Sequence, residues 1–409
     1  MSVMTDQATS TTSDLRTHRV IVIRGDGIGP ELIDAALVVL HAVTERHPGF
    51  HIEFTEHEAG AELFLSEGQS LRPETMEAIK QADALFKAPV GLPHVRNIDG
   101  TEAGLLGGLR IGLDTYANVR PVRLMPGVDA PIKAEPGTID YVIVRENTEG
   151  LYLSRGKGVG TTEVMTDTML ISRKGTERIA RFAFELARTR SGAPDDGQRR
   201  VTCVDKANVL SSFAFFRQIF DEVGADYPDV EQEHLYADAA AQELVQRPGH
   251  YDVLVMENLL GDILSDLGGA TVGGIGLCCS ANVGDDHAYF EPIHGSAPSL
   301  AGTDQANPIS QILTAAMMLD HLGEPLAADS IRLAVDHVLG TGIVSLSAAG
   351  QPVGGTQATA QAIAEAILIP YTPRTHRVRG RLRGQIEIAA DFDDTPSDLT
   401  NAFEEEAES

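Results

Sequence analysis

Cysteine is scarce: the 409 residues contain only Cys203, Cys278 and Cys279. The last two are adjacent in the apolar run IGLCCSA. Buried thiols are expected there rather than a disulfide or a metal site, which suits a reducing cytoplasm. Positive charge is also scarce. With 32 Lys+Arg against 59 Asp+Glu the net charge is −27, which repels polyanions and argues against nucleic acid as a partner, although a local arginine cluster still suits a small anion. Long apolar runs are missing too. None approaches the roughly 20 residues of a membrane-spanning helix, and the opening MSVMTDQATSTTSD lacks a charged head followed by an apolar core. No membrane partner is expected, a cytoplasmic location is, and residues 1–17 read as a disordered leader.

What remains is material for a globular enzyme-sized chain, since 43% hydrophobic residues can bury a sizeable core in two or three domains. Residues 19–23 (RVIVI) form a short β-branched run that meets the glycine-rich GDGIGP, after which ELIDAALVVLHAVTER has helical spacing. The same strand-to-helix alternation recurs at DALFKAPVG, TIDYVIVREN, RVTCVDKANVLSSFAFFRQIFDEVG and YDVLVMENLLGDILSDL. It predicts an α/β architecture with largely parallel sheets. GDGIGP is not the GxGxxG of a Rossmann turn, so its value as a phosphate loop is small. Residues 371–409 differ in kind, with five early arginines and many acidic residues. They read as an appended, poorly ordered tail to which no chemistry is assigned.

One stretch stands apart. In VMENLLGDILSDLGG, Asp262 and Asp266 are four residues apart, which on a helix places both carboxylates on one face, where they repel unless a cation or cationic side chain lies near. Elsewhere Arg110 (GGLRIG), Arg120 (YANVRPVRL) and Arg145 (VIVRENTEG) occur near strand ends, and arginine presents a planar fork of donors suited to carboxylates. Tyr152, Lys206 and Asp238 follow, each ordinary when taken alone.

Read in order, ANVRPVRLMPG, VRENTEGLY, VDKANVL, NLLGDILSDL and EPIHGSAPSLAGTDQANP resemble the β-decarboxylating dehydrogenases, the isocitrate and isopropylmalate dehydrogenase family that also includes tartrate and D-malate dehydrogenases. The resemblance covers about residues 18–370. It implies a two-lobed α/β fold, with residues 18–115 plus 273–370 as a discontinuous large, cofactor-binding domain. Residues 116–272 are then the middle domain, which forms a homodimer with shared active sites. It further implies that Asp262 and Asp266 of one subunit, with Asp238 of its partner, hold Mg²⁺ or Mn²⁺, for which all-oxygen ligation is suited. Arg110, Arg120 and Arg145 would clamp the carboxylate that is lost, with Asn208, Leu106 and Gly107 also at the substrate. Lys206 would assist deprotonation of the hydroxyl and Tyr152 would protonate the enolate. His294, Gly295, Ser296, Ala297, Ser299 and Asn307 would surround the adenosine half of NAD, with Ile28 and Glu291 nearer the nicotinamide.

Departures from the family pattern refine the reading. NAD-dependent relatives commonly carry an aspartate where this chain has Ser299, so a reason for excluding NADP is absent. NAD is still favoured, because Ser299 and Leu300 do not supply the lysine and tyrosine typical of NADP-using isocitrate enzymes. In TEAGLLGGLR, Gly104 and Leu106 replace the serine and asparagine of isocitrate enzymes, and Leu106 with Gly107 keeps half of the leucine pair of isopropylmalate enzymes. The expected substrate is a 3-substituted malate whose substituent is apolar, isopropyl-like or larger. Tartrate or D-malate, suggested by VRENTEG and VRPVRLMPG, and isocitrate or homoisocitrate are the rivals. A non-catalytic regulatory subunit is the alternative class, and the intact set of aspartates, arginines, lysine and tyrosine favours a catalytic chain.

Overall fold

A computed structural model describes residues 15–98, 100–104 and 106–369, with only the backbone of Leu106 and Gly107. The expectations for the side chains of Leu106 and Gly107, for most of the leader and for the tail lie outside the described residues. From the N-terminus come β1 (Arg16–Ile23), α1 (Gly29–Arg46), β2 (Phe50–Glu56), α2 (Ala61–Glu67), α3 (Pro73–Gln81), β3 (Ala84–Lys87) and α4 (Leu106–Gly112). Next are β4 (Ala117–Arg123), β5 (Asp140–Glu146), the short strands β6 (Val159–Gly160) and β7 (Met165–Thr166), α5 (Arg173–Thr189), β8 (Arg200–Asp205) and α6 (Ser211–Gly224). They are followed by β9 (Glu231–Tyr236), α7 (Ala237–Gln246), β10 (Val253–Met256), α8 (Asn258–Thr271), β11 (Cys279–Val283) and β12 (Ala288–Pro292). Helices α9 (Ile309–His321), α10 (Pro325–Gly340) and α11 (Thr356–Leu368) end the described chain. The first strand begins at Arg16, inside the expected leader, because Arg16 and Thr17 already pair with Phe50 and His51.

One ten-stranded sheet runs in the order β2-β1-β3-β12-β11-β4-β5-β10-β8-β9, and β6 and β7 form a separate hairpin. The outer pairings are parallel, as the strand-to-helix alternation predicts. The three central pairings β12–β11, β11–β4 and β4–β5 are antiparallel. Strands from residues 16–87 and 279–292 occupy one half of the sheet, and strands from 117–256 the other.

Alternation along these strands sorts the two faces. The rear face carries one continuous apolar core, built from residues such as Val22, Phe86, Val119, Val144 and Phe290 under α1, α5, α6, α9, α10 and α11. On the front face the core is interrupted. Ile21, Ile23, Leu85 and Tyr289 pack with α3 and α4 at one side, while Val122, Tyr141, Ile143 and Met256 pack with α7 and α8 at the other. Between them lies a polar stripe of Asn118, Arg120, Asn282 and Glu291, all buried. A buried polar stripe persists only if its groups find partners, so the gap between the front cores is where a site is expected.

Candidate active site

Arg145 at the end of β5 reaches the site because α8 leaves it room: a Cβ at Gly261 would lie 2.5 Å from the Arg145 Cγ. Helix α8 starts where the Glu257 carboxylate accepts from the amides of Leu259 and Leu260 at 3.0 and 3.3 Å, a side-chain cap that fixes its first turn. Arg145 then donates to Asn258 Oδ1 at 3.0 and 2.7 Å and to Asp262. Arg120 of β4 donates to Asn118 and Ser265, both at 2.6 Å, and lies 3.4 Å from Asp262 and 3.7 Å from Asp266. The cation beside the aspartate pair is therefore a guanidinium from the same chain, shared with a second arginine at Asp262.

Arg120, Arg145, Asn258 and Asp262 line a pocket of about 550 Å³ together with Arg110, Tyr152, Lys87, Glu291 and His294. Tyr152 donates its hydroxyl to Asp262 Oδ2 at 2.9 Å, and its ring lies under the Arg145 guanidinium, 5.5 Å from centroid to Cζ. Burial, with Asp262 beside it, raises the Tyr152 pKa, which keeps the phenol protonated. Burial and the neighbouring guanidiniums of Arg110 and Arg120 pull Arg145 down to about 9. Three arginines are thus crowded against too little negative charge, and the buried Arg110 Nε has no hydrogen-bond partner among the described residues. That imbalance suits an anionic ligand. Burial alone raises the Asp262 carboxyl, but Arg145 and Arg120 outweigh it and hold it below the usual range. Burial prevails at Asp266, whose carboxyl is raised.

Beneath the pocket, Asn282 Oδ1 accepts from Asn118 and Asn147, each at 2.9 Å, while its amide donates to Glu291 at 3.2 Å. Lys87, fully buried, pairs with Glu291. Neither Lys87 nor these asparagines was singled out from the sequence. The available signal was a charge inside the apolar strand DALFKAPVG.

The remaining expected residues fall into three places. Glu291, His294 and Gly295 line the pocket itself. Ile28 and Ser296 meet beside it: the Ile28 amide donates to the Ser296 carbonyl at 2.8 Å, and Gly27, at φ +60°, allows an approach in which a Cβ would lie 2.0 Å from that oxygen. Ala297 adopts a left-handed conformation in the same turn, and Ser299 is exposed. Two of these side chains already serve the fold. Ser296 donates to the Gly91 carbonyl, and Asn307 donates to Gly350 O at 2.8 Å while capping the amide of Ile309 at 3.0 Å. In the GDGIGP loop Asp26 is buried and accepts from the amides of Ala61 and Gly91 at 2.8 and 2.7 Å. A carboxylate there disfavours phosphate, in keeping with the weak value given to the motif.

Lys206, Asn208 and Asp238 are not among the residues lining the pocket. Lys206 Nζ donates to Asp238 Oδ1 at 2.5 Å on an exposed edge, with Asn208 exposed in the adjoining turn. Among the described residues no three His, Cys, Asp or Glu side chains gather to hold a metal ion. Asp262 and Asp266 offer the oxygen donors that a hard cation takes, but one chain brings only these two together. For a dinucleotide, the fit rests on His294: its enclosed Nε2 has no partner among the described residues, beside the open backbone of Gly295.

Residues 19–367 match the isocitrate/isopropylmalate dehydrogenase family. The chain is 44% identical over 330 residues to a 3-isopropylmalate/3-methylmalate dehydrogenase of Methanocaldococcus jannaschii, covering 80% of this chain and 93% of that one. It is 41% identical over 345 residues to a 3-isopropylmalate dehydrogenase of a Synechococcus strain, covering 81% and 87%. Among solved structures, an isocitrate dehydrogenase of Methylococcus capsulatus superposes with a TM-score of 0.76 at 36% identity, over 86% of this chain and 99% of that one. A β-decarboxylating dehydrogenase of Thermococcus kodakarensis gives 0.70 at 38% identity, over 86% and 96%.

Proposed function

The chain belongs to the isocitrate/isopropylmalate dehydrogenase family, and from that premise we propose that it oxidatively decarboxylates a 3-alkylmalate, with NAD favoured over NADP as oxidant. The observation that carries the reading is the convergence of Arg110, Arg120 and Arg145 with Tyr152 and Asp262 in one pocket. Apolar Val90, Ile111, Leu151 and Leu153 line the same pocket and suit an alkyl substituent. The relatives named for 3-isopropylmalate and 3-methylmalate support the same class.

In this reading the arginines bind the carboxylate that is lost and orient it. Lys206 of the partner subunit assists loss of the C2 hydroxyl proton, directly or through water, as hydride leaves C2, which yields a ketone β to a carboxylate. Carbon dioxide then departs, its bonding pair remains as an enolate, and the Tyr152 hydroxyl delivers a proton to C3. A nicotinamide nucleotide, held by the 291–297 segment with Ile28, supplies the hydride acceptor. Asp262 and Asp266, with Asp238 of the partner subunit, would hold a divalent cation, which would supply Lewis-acid chemistry.

A homodimer is part of the proposal, with the lobes divided near residues 115 and 273. It is supported by apolar side chains left exposed at Val159 and Met165 of the hairpin, at Val209 and Leu210 beside Lys206, and at Ile263 beside Asp262. Among the described residues no helix is long and apolar enough to cross a membrane, and a cytoplasmic location is proposed. The test is reduction of NAD and NADP with 3-isopropylmalate, 3-methylmalate, D-malate, tartrate, isocitrate and homoisocitrate, with and without Mg²⁺ or Mn²⁺. A 3-alkylmalate should give the highest kcat/KM and chelation should abolish turnover. Preference for tartrate or isocitrate would overturn the substrate class, and full activity after metal removal would overturn the cation's role.

A further inference from the structure

The three arginines of the pocket are not equally secured. Arg120 donates to Asn118 and Ser265, both at 2.6 Å, and Arg145 donates to Asn258 at 3.0 and 2.7 Å, so each is held by a neutral side-chain oxygen. Arg110 differs. It is buried, and its Nε has no hydrogen-bond partner among the described residues. A buried donor left in that state is costly.

The groups able to serve it lie behind it. Leu109 and Leu113, which flank Arg110 in the chain, pack with Ile21, Ile23, Leu85 and Tyr289 in one front-face core, so the Tyr289 side chain comes close beneath Arg110. Tyr289 of β12 is in register with Asn282 of β11 and Leu85 of β3, and strand alternation turns it to the catalytic face with Glu291, two residues on. Glu291 lines the pocket, whereas Tyr289 does not and is fully buried. Its phenol therefore meets Arg110 from the side away from a ligand. It lies beside Arg110 and the Asn147 amide without a well-formed hydrogen bond to either. Burial, with Glu291 nearby, raises its pKa and keeps it protonated.

Three buried polar atoms here are unpaired among the described residues: Arg110 Nε, the Tyr289 hydroxyl and Asn147 Oδ1. Their chemistry is complementary. Asn147 gives its Nδ2 to Thr115 O at 3.1 Å and to Asn282 Oδ1 at 2.9 Å, which fixes the amide with Oδ1 turned to accept. The arginine Nε–H can only donate, and a phenol both accepts and donates. Two hydrogen bonds, from Arg110 Nε to the Tyr289 oxygen and from the Tyr289 hydroxyl to Asn147 Oδ1, satisfy all three atoms. Active-site bonds of this kind tighten when a bound ligand fixes the guanidinium.

We infer that Tyr289 is a positioning residue for the reaction: its hydroxyl, oriented by Asn147, holds the Arg110 guanidinium in place for the substrate carboxylate. The inference rests on the proposed role of Arg110 as a carboxylate ligand. It needs no choice among 3-substituted malates, since all of them carry that carboxylate.

The test compares Tyr289→Phe, Arg110→Gln and the double variant of the full chain, assayed with 3-isopropylmalate and D-malate. Tyr289→Phe keeps the ring and its core contacts, and it should lower kcat/KM by about tenfold with each acid. In the Arg110→Gln background the same substitution should change kcat/KM by less than about twofold, because the residue it acts through is gone. An unchanged kcat/KM in the first background, or an equal loss in both, overturns the inference. A second readout needs no turnover and decides the matter where the Arg110→Gln proteins are too slow to assay. With ¹⁵N at the arginine Nε positions, the Arg110 signal is identified by its loss in Arg110→Gln, and its proton should exchange with water about tenfold faster in Tyr289→Phe than in the parent. Equal exchange rates overturn the positioning role. A parent chain inactive on both acids would instead count against the substrate reading, and the exchange rates would still decide the part played by Tyr289.

Discussion

Two lysine–carboxylate pairs on the same protein have opposite surroundings. Lys87 and Glu291 are 0% and 11% exposed, whereas Lys206 and Asp238 are 31% and 73% exposed. For the first, burial alone would raise the Glu291 carboxyl, but Lys87 and Arg110 hold it below the usual range. Removing either partner strands a charge under the active site. For the second, water screens the attraction, and an exposed pair of this kind adds little to folding. The buried pair is accounted for by the architecture of one chain. The exposed pair, flanked by uncovered Val209 and Leu210, makes chemical sense as half of a site that a second chain completes.

Lys87→Met should break this contrast at its stronger end, costing up to about 3–5 kcal/mol of folding stability by removing the cation paired with buried Glu291, which keeps Arg110 and the Asn282 amide nearby. Lys206→Met should leave the denaturant midpoint unchanged within error. Comparable midpoints for the two variants, measured by chemical denaturation, would remove the distinction. Within the pocket, Tyr152→Phe should lower kcat by about 10²–10⁴, with a stability loss of about 1 kcal/mol or less because the ring is retained and only the hydroxyl's bond to Asp262 goes; a kcat within twofold, on the order of experimental scatter, would deny Tyr152 the proton transfer.

A smaller effect separates the two aspartates of α8. The folded Asp262 carboxyl is held low, so its contribution to stability is present above the unfolded pKa and lost as pH falls through the folded one. At Asp266 the folded pKa is raised; that contribution is present below the unfolded pKa and lost as pH rises through the folded one. In metal-free protein at neutral pH, Asp262→Asn should therefore destabilise and Asp266→Asn stabilise, each by about 1 kcal/mol or less after solvent screening. Thermal unfolding of both variants with chelator present measures this, and shifts of the same sign would contradict the assigned environments.

Much of the fold was legible because apolar β-branched runs and helical spacing alternate so regularly, from RVIVI to YDVLVMEN. The antiparallel centre was not. ANVRPVR and the two strands at 279–292 mix polar and apolar residues, since one face of each lines a site and the other a core, and that blurs the signal of a buried strand. Arg110, Arg120, Arg145, Tyr152 and Asp262 were legible as chemistry and are gathered in one pocket. Asn307 and Ser296 read as cofactor neighbours, and their side chains also secure turns, a use that depends on backbone groups distant in sequence. Lys87 escaped notice because its partner Glu291, on the neighbouring strand β12, is far away in sequence.

The central claim is that the exposed pair of one chain completes the pocket of another, and complementation tests it most directly. Lys206→Ala chains and Asp262→Asn chains, each nearly inactive alone, are unfolded and refolded together. In a mixed dimer with two-fold symmetry, one site retains both Lys206 and Asp262 while the other lacks both. Random pairing makes half of the dimers mixed with half of their sites intact, so activity should recover to about a quarter of the parent protein. A mixture as inactive as its components, with mixed dimers shown to be present, would place Lys206 and Asp262 in the service of one chain's own site and contradict the account.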